Sequence, residues 1–399
     1  MEDVRGTRFQ QAYVPQELLQ ALEKVNQRLL LGIPREREKG ERRLSLTPEA
    51  VAILTQAGHR VWVETGAGLG INYADTHFAE AGAEIKATAQ EVYQADVILK
   101  ILPPTLAEVE CMRPRTALLS FVPLNMLSKE VFLRMIAKRI TAVGYELITD
   151  EWNRIPMLNV TSEIEGAASI SIAPEPLSTP QGGKGILLGG IPGVSPTEVV
   201  IIGAGNAGTV AARAAMALGA FVKVFDDDLN QLRVIHQTLG QGLFTSTFHP
   251  NVLQNAFRSA DVVIGAMRYI NARRHFVISK ELIHAMKKGA LLIDLRISQG
   301  GCFETTCCLS PADPPVFEQY GVLHYARPNV SNRVARTTSM AYSNILVPLL
   351  LGLGDAGSLV AWISSNRGFH EGVYLYNGAA VNEYVAHSFN LSSNNLDLF

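Results

Sequence analysis

Apolar positions recur along this chain with two periods. Residues 15–30 (PQELLQALEKVNQRLL) place Leu18, Leu19, Leu22, Val25 and Leu29 at helical spacing, which predicts a helical extension over residues 1–28. From there, short unbroken apolar runs alternate with helix-patterned stretches. Strands are predicted at 29–33, 60–64, 97–102, 117–122 and 141–145. Thr47-Pro48-Glu49 marks a helix start, with proline where its missing N–H costs nothing, and Gly58 is placed to end that helix. Apolar runs that are continuous rather than alternating suit a parallel sheet covered on both faces.

A proline- and glycine-rich passage at 174–196 interrupts this rhythm and predicts a flexible approach to a second series. There, strands are predicted at 199–202, 221–225, 261–266 and 291–297. Helices are predicted at 207–218, around 252–257 and 280–287, and finally over the long apolar stretch 338–353. The expected fold is α/β: two Rossmann-like doubly wound lobes with a cleft between them. Residues 29–160 with 335–399 form the substrate lobe, and 161–334 form the central, dinucleotide-binding lobe.

Composition narrows the partners. The 399 residues are 47% hydrophobic and 18% charged, enough for two cores, and the formal charge of −2 gives no surface for a polyanion. Nucleic acid is therefore excluded as a main partner. The apolar run 345–351 is too short for a bilayer and contains Pro348, so no membrane partner is expected. Residues 1–11 are polar and carry no apolar signal core, which makes the cytoplasm the expected compartment. Cys111, Cys302, Cys307 and Cys308 lack metal-site spacing and read as reduced thiols, so no metal is expected.

The sharpest motif is Gly203-Ala204-Gly205-Asn206-Ala207-Gly208. An apolar strand runs into it and an alanine-rich helix (Ala211, Ala212, Ala214, Ala215) runs out. The first glycine permits a tight turn, the second lets the backbone meet a pyrophosphate, and the third lets helix and strand pack closely. The helix N-terminus adds free N–H groups and a positive dipole end. Asp226 closes the next strand eighteen residues after Gly208, where a carboxylate accepts from ribose hydroxyls and repels a 2′-phosphate. This predicts NAD rather than NADP.

From residue 29 to about 395 the chain resembles the alanine dehydrogenase/transhydrogenase family. The likeness rests on GIPREREKGERRLSLTP (Gly32 to Pro48), ETGAG (Glu64 to Gly68), Ser162-Glu163, GGKGILLGGIPGV (Gly182 to Val194), ADVVIGA (Ala260 to Ala266) and QGGCFETT (Gln299 to Thr306). It implies NAD-dependent oxidation of an amino acid to its 2-oxo acid, with L-alanine and pyruvate as the pair, and a homo-oligomer, dimer or hexamer. It implies that Arg43 holds the substrate carboxylate with its planar fork of donors. It also places Ser162, Met267 and Asn329 near the cofactor, and Glu146 among groups that orient the site.

The resemblance fails where the chemistry is densest. Oxidative deamination leaves an imine that water attacks, which needs a general acid–base and a polarising cation. The family's lysine, histidine and aspartate fall on Leu102, Pro123 and Ser298. Leucine and proline have no titratable group, and serine alone is a poor base. Lys100, two positions before Leu102, would share its face on a strand, roughly 6–7 Å away, and is either a substitute or a charge at the strand's mouth paired with a neighbouring carboxylate. Arg43, Lys100 and Ser298 are thus the candidate catalytic residues. Glu165 and Arg296 stand where the family has small residues and Arg268 replaces an apolar one, as compensating ion pairs or as a more polar pocket. Among the histidines, His324 is the first to test. Three functions stay open: an alanine-type dehydrogenase with substituted acid–base groups, an NAD(H)-binding homologue without that activity, and an oxidoreductase or imine reductase for a different, charged substrate.

Overall fold

A computed structural model describes residues 28–396, apart from 125, 241, 268–277, 308 and 310–312. The helical extension expected over 1–28 lies outside them but for Arg28, as do Arg268, His275 and Cys308.

The first sheet contains β1 (Leu30–Ile33), β2 (Arg60–Glu64), β3 (Glu84–Lys86), β4 (Val97–Leu99), β5 (Ala117–Ser120) and β6 (Thr141–Gly144). The second contains β7 (Glu198–Ile202), β8 (Phe221–Phe225), β9 (Phe244–Ser246), β10 (Val262–Gly265), β11 (Leu291–Asp294), β12 (Val316–Gln319) and β13 (Val322–Tyr325). The chain then returns to the first sheet with β14 (Val373–Tyr376) and β15 (Ala379–Ala380). The orders are β15-β14-β6-β5-β4-β1-β2-β3 and β12-β13-β11-β10-β7-β8-β9. In each sheet the first strand is central, the next two lie to one side, and the chain then crosses to the other. That is doubly wound topology, with switch points between β1 and β4 and between β7 and β10. All pairs are parallel except those made by β12, β14 and β15.

Apolar cover on both faces explains the continuous runs. Val199 and Ile201 pack into one core, while Val200 and Ile202 pack into another on the opposite face. Two helices join the lobes. Pro156–Ile172 sets Met157 into the first lobe's core and Ala168 and Ile170 into the second's. Ala335–Asp355 buries Tyr342, Leu346 and Leu350 in the first lobe. Among the described residues, no single helix is long and apolar enough to cross a membrane.

Two expectations need correction. β4 ends at Leu99 and the chain bends at 101–102, so strand alternation does not relate Lys100 to Leu102. The passage 174–196 is not irregular throughout: it opens with a helix at Pro174–Leu177 and a 3₁₀ turn at Thr179–Gln181.

Candidate active site

The glycine loop stands at the C-terminal edge of the second sheet, at its switch point. Gly203 has φ +114°, and a Cβ there would come within 2.7 Å of the Met267 backbone nitrogen. At Gly208 a Cβ would lie 1.9 Å from the Gly203 carbonyl oxygen. Between them, a Cβ on Gly205 would meet nothing within 4 Å. Two glycines are therefore demanded by the protein's own packing. Gly205, between them, faces open space among the described residues, which leaves room for a ligand's close approach. Helix Asn206–Ala217 starts from Gly205 without a side-chain cap, and among the described residues no side chain accepts from its first-turn N–H groups. These residues fit a pyrophosphate.

Asp226 follows β8 and is buried. Its Oδ2 accepts from the Ala204 N–H at 2.6 Å and its Oδ1 from the Asp228 N–H at 2.9 Å, tying it to the glycine loop. Burial pushes this carboxyl above its ordinary range, opposed by those two donors. Met267 follows β10. Asn329, exposed and at φ 54°, opens the 3₁₀ turn Val330–Val334.

On the first lobe, Arg43 is only 5% exposed, which rules out a surface role. Its Nε and Nη2 donate side-on to Glu41, at 2.8 and 2.6 Å. Nη1 donates to Ser331 Oγ at 3.2 Å and Tyr342 Oη at 3.3 Å, both from elements on the way back into the first lobe. Burial disfavours the charge, and Glu41 more than offsets it, holding the guanidinium above its ordinary range. A cavity of about 320 Å³ opens here, lined by Arg35, Glu36, Lys39, Glu41, Arg42 and Arg43 among others. A larger recess of about 450 Å³ lies apart, against Met157, Pro348 and Gly368, and holds none of the candidate residues.

Lys100 sits at the first sheet's switch point. Its Nζ donates to Glu36 Oε2 and Glu108 Oε1, both at 3.0 Å, and Glu108 also accepts from Tyr93 at 2.7 Å. Burial opposes the ammonium, and the two carboxylates outweigh it, raising its pKa.

Two family models meet on this chain: the alanine dehydrogenase/PNT N-terminal domain over residues 32–165 and its C-terminal domain over 169–383. The chain belongs to the alanine dehydrogenase/PNT family. It is 35% identical to an alanine dehydrogenase of Methanococcus maripaludis, over 91% of this chain and 97% of that one. It is also 35% identical to one of Bacillus subtilis, over 90% and 94%. A solved L-alanine dehydrogenase superposes with a TM-score of 0.85 at 30% identity, covering 90% of this chain and 99% of the other. A transhydrogenase from Sinorhizobium meliloti shares the fold, with a TM-score of 0.77 at 22% identity over 88% and 100%. The protein is an alanine dehydrogenase-like oxidoreductase.

The three positions where the resemblance implies a lysine, a histidine and an aspartate differ in exposure. Leu102 is buried, Pro123 half-buried, and Ser298 exposed on the 3₁₀ turn Ile297–Gln299. Arg296, just before that turn, is 7% exposed. Its Nη1 pairs with Glu165 Oε2 at 3.3 Å, and its Nη2 donates to Ser162 Oγ at 3.2 Å. Ser162 and Glu165 therefore share one partner. Asp294, fully buried at the end of β11, accepts from the N–H groups of Arg296 and Cys302 and from the Thr306 hydroxyl, which fixes the loop between them. Glu36, Glu41, Glu108 and Asp294 were not foreseen from the sequence. Only Glu41 left a local signal, two residues from the arginine it holds.

His324 is a core residue rather than an available base. It is fully buried in β13, stacked on Phe317 at 4.9 Å, with Nδ1 on the Val322 carbonyl and Nε2 on the Thr305 hydroxyl. Burial lowers its pKa.

Glu146 fixes the backbone just before Pro123, its Oε1 accepting the Val122 N–H at 2.7 Å. Its Oε2 is buried without a partner among the described residues. Burial pushes the carboxyl up from 4.5 to about 7. An acid raised in the fold stabilises it below the unfolded value and loses that contribution as pH rises through the folded one. Glu146→Gln keeps the Val122 contact. It is expected to match the parent at pH 4.5 and to exceed it by about 3 kcal/mol at pH 8.5 in urea unfolding. Equal stability at both pH values would remove Glu146 as a buried acid.

Proposed function

We propose that the protein is an NAD(H)-dependent oxidoreductase that interconverts a small amino acid and its 2-oxo acid, L-alanine and pyruvate being the pair its relatives' names suggest. The observation that carries this is Gly205: an open backbone cradle between two glycines that packing requires, with Asp226 bonded to the same loop. In this reading, residues 161–334 hold the dinucleotide. Gly203, Gly205, Asn206, Ala207 and Gly208 meet the pyrophosphate and Asp226 the adenosine ribose, while Ser162, Met267 and Asn329 line the nicotinamide end. Residues 29–160 with 335–399 supply the substrate side. When bound, the dinucleotide supplies the two-electron redox chemistry. Arg43, held by Glu41, Ser331 and Tyr342, supplies the fixed positive charge that draws a substrate carboxylate to the first lobe. Lys100 acts through Glu36, whose position its ammonium sets. Ser298, exposed on the turn Ile297–Gln299, is the third candidate catalytic residue.

A second reading, dinucleotide binding without alanine turnover, is favoured by one observation. Leu102, Pro123 and Ser298 supply no titratable group where the family has three. A fluorescence titration with NADH, followed by assay with pyruvate and ammonium, separates the two. NADH is expected to bind, with NADPH at least about tenfold weaker because Asp226 repels its extra phosphate. Turnover then supports the first reading, and binding without it the second. No NADH binding at millimolar ligand would defeat both.

A further inference from the structure

We propose that Arg296 is a substrate-binding residue, taking the carboxylate of a 2-oxo acid side-on through Nε and Nη2. The proposal rests on the dinucleotide reading above.

Position comes first. The strand order β8-β7-β10-β11 sets Asp226, the glycine loop, Met267 and Arg296 side by side along one sheet edge. Three strand spacings of about 4.8 Å span about 14 Å. With the adenosine ribose at Asp226, Arg296 stands at the reacting end. Ser162 and Glu165, its two partners, lie on helix Pro156–Ile172. That helix packs on the dinucleotide helix so closely that a Cβ on Gly166 would come within 2.2 Å of the Ala207 carbonyl oxygen.

Unused donors come second. A guanidinium presents its Nε and Nη2 hydrogens in parallel, the edge that grips a carboxylate two bonds at a time. On Arg43 that edge is closed by Glu41. On Arg296 it carries only the Ser162 hydroxyl, and the buried Nε has no acceptor among the described residues. A buried donor left without an acceptor is unfavourable, and a ligand carboxylate would satisfy it.

Charge comes third. Where the resemblance implies a lysine and an aspartate, Leu102 and Ser298 remove a cation and a carboxylate. Arg296 and Glu165 return one of each, from positions where it implies small residues. Glu165 is the counter-charge that lets a guanidinium be buried there.

The test reads binding rather than turnover. Protein saturated with NADH is titrated calorimetrically with oxamate, an unreactive mimic of a 2-oxo acid. The wild type is expected to bind it. Arg296→Lys keeps the charge but not the parallel donors, and is expected to bind at least about tenfold more weakly. The double variant Arg296→Met, Glu165→Gln removes both charges, so no carboxylate is stranded. It is expected to give no oxamate heat while melting near the wild type. Oxamate affinity unchanged within about twofold in Arg296→Lys and the double variant overturns the proposal, as does a wild-type NADH complex that takes no oxamate. A wild type that takes no NADH removes the dinucleotide reading itself.

Discussion

Gly205→Ala is expected to weaken NADH binding about a hundredfold, about 2.8 kcal/mol, while leaving the melting temperature within about 2 °C of the parent. The backbone at Gly205 has φ −69°, which alanine adopts freely, and none of the described residues stands within 4 Å of the added methyl. The fold therefore tolerates it. The space it fills is the space through which the loop's backbone reaches a pyrophosphate, and a methyl there holds the phosphates off the N–H groups that bind them. Gly208→Ala is the contrast, since its methyl would lie 1.9 Å from the Gly203 carbonyl oxygen and must push helix from strand. That variant should lose stability and binding together. NADH fluorescence and thermal melting on the two variants separate a ligand cradle from a packing requirement. Gly205→Ala binding NADH within about threefold of the parent would show that the loop does not carry phosphate.

The glycine loop was legible in sequence because every constraint on it is local. A turn, an open approach and a tight contact fall within six residues, and the strand and helix beside them announce themselves. The central parallel strands were legible for a similar reason, as apolar runs of the right length. Helix Pro156–Ile172 was not anticipated. It is buried from both lobes and carries Thr161, Ser162, Ser169 and Ser171, so no clean apolar stripe marks it. The hairpin β14–β15 went unread although it left a signal. Asn377-Gly378 separates its strands, and both residues have positive φ, 45° and 82°, as a type I′ turn demands.

The candidate site divides in the same way. Arg43, the glycines and Asp226 could be placed by motif. Most of what surrounds them could not, because apart from Glu41 the side-chain partners of Arg43 and Arg296 come from far along the chain. Glu165 meets Arg296 across 131 positions, and Ser331 meets Arg43 across 288. Lys100 illustrates the consequence. Its sequence neighbours left two readings open, a stand-in for Leu102 or a charge paired with some neighbouring carboxylate, without naming the partner. The fold supplies two carboxylates, one 64 positions away and one 8.

Those carboxylates make Lys100→Met the most damaging substitution expected in the first lobe, at about 3–5 kcal/mol at pH 7.5. The ammonium is 1% exposed and bridges Glu36 and Glu108, which face it with side chains 5% and 8% exposed. Removing it leaves two buried carboxylates that repel each other. In the parent, burial keeps Glu36 above its ordinary range, while for Glu108 the Lys100 charge and the hydrogen bonds outweigh burial and hold it below. Without Lys100 both should be raised. A raised carboxyl stabilises the fold below its unfolded pKa of 4.5 and loses that contribution as pH rises through the folded value. The gap between variant and parent should therefore narrow from pH 7.5 to pH 5, and adding Glu108→Gln should recover part of the loss by removing one charge. Urea unfolding of the three proteins at both pH values measures this. A catalytic base free of the fold would behave otherwise: activity would fall while stability and its pH dependence stayed with the parent, and that outcome would make Lys100 a reacting group instead of the tie that holds Glu36 at the switch point.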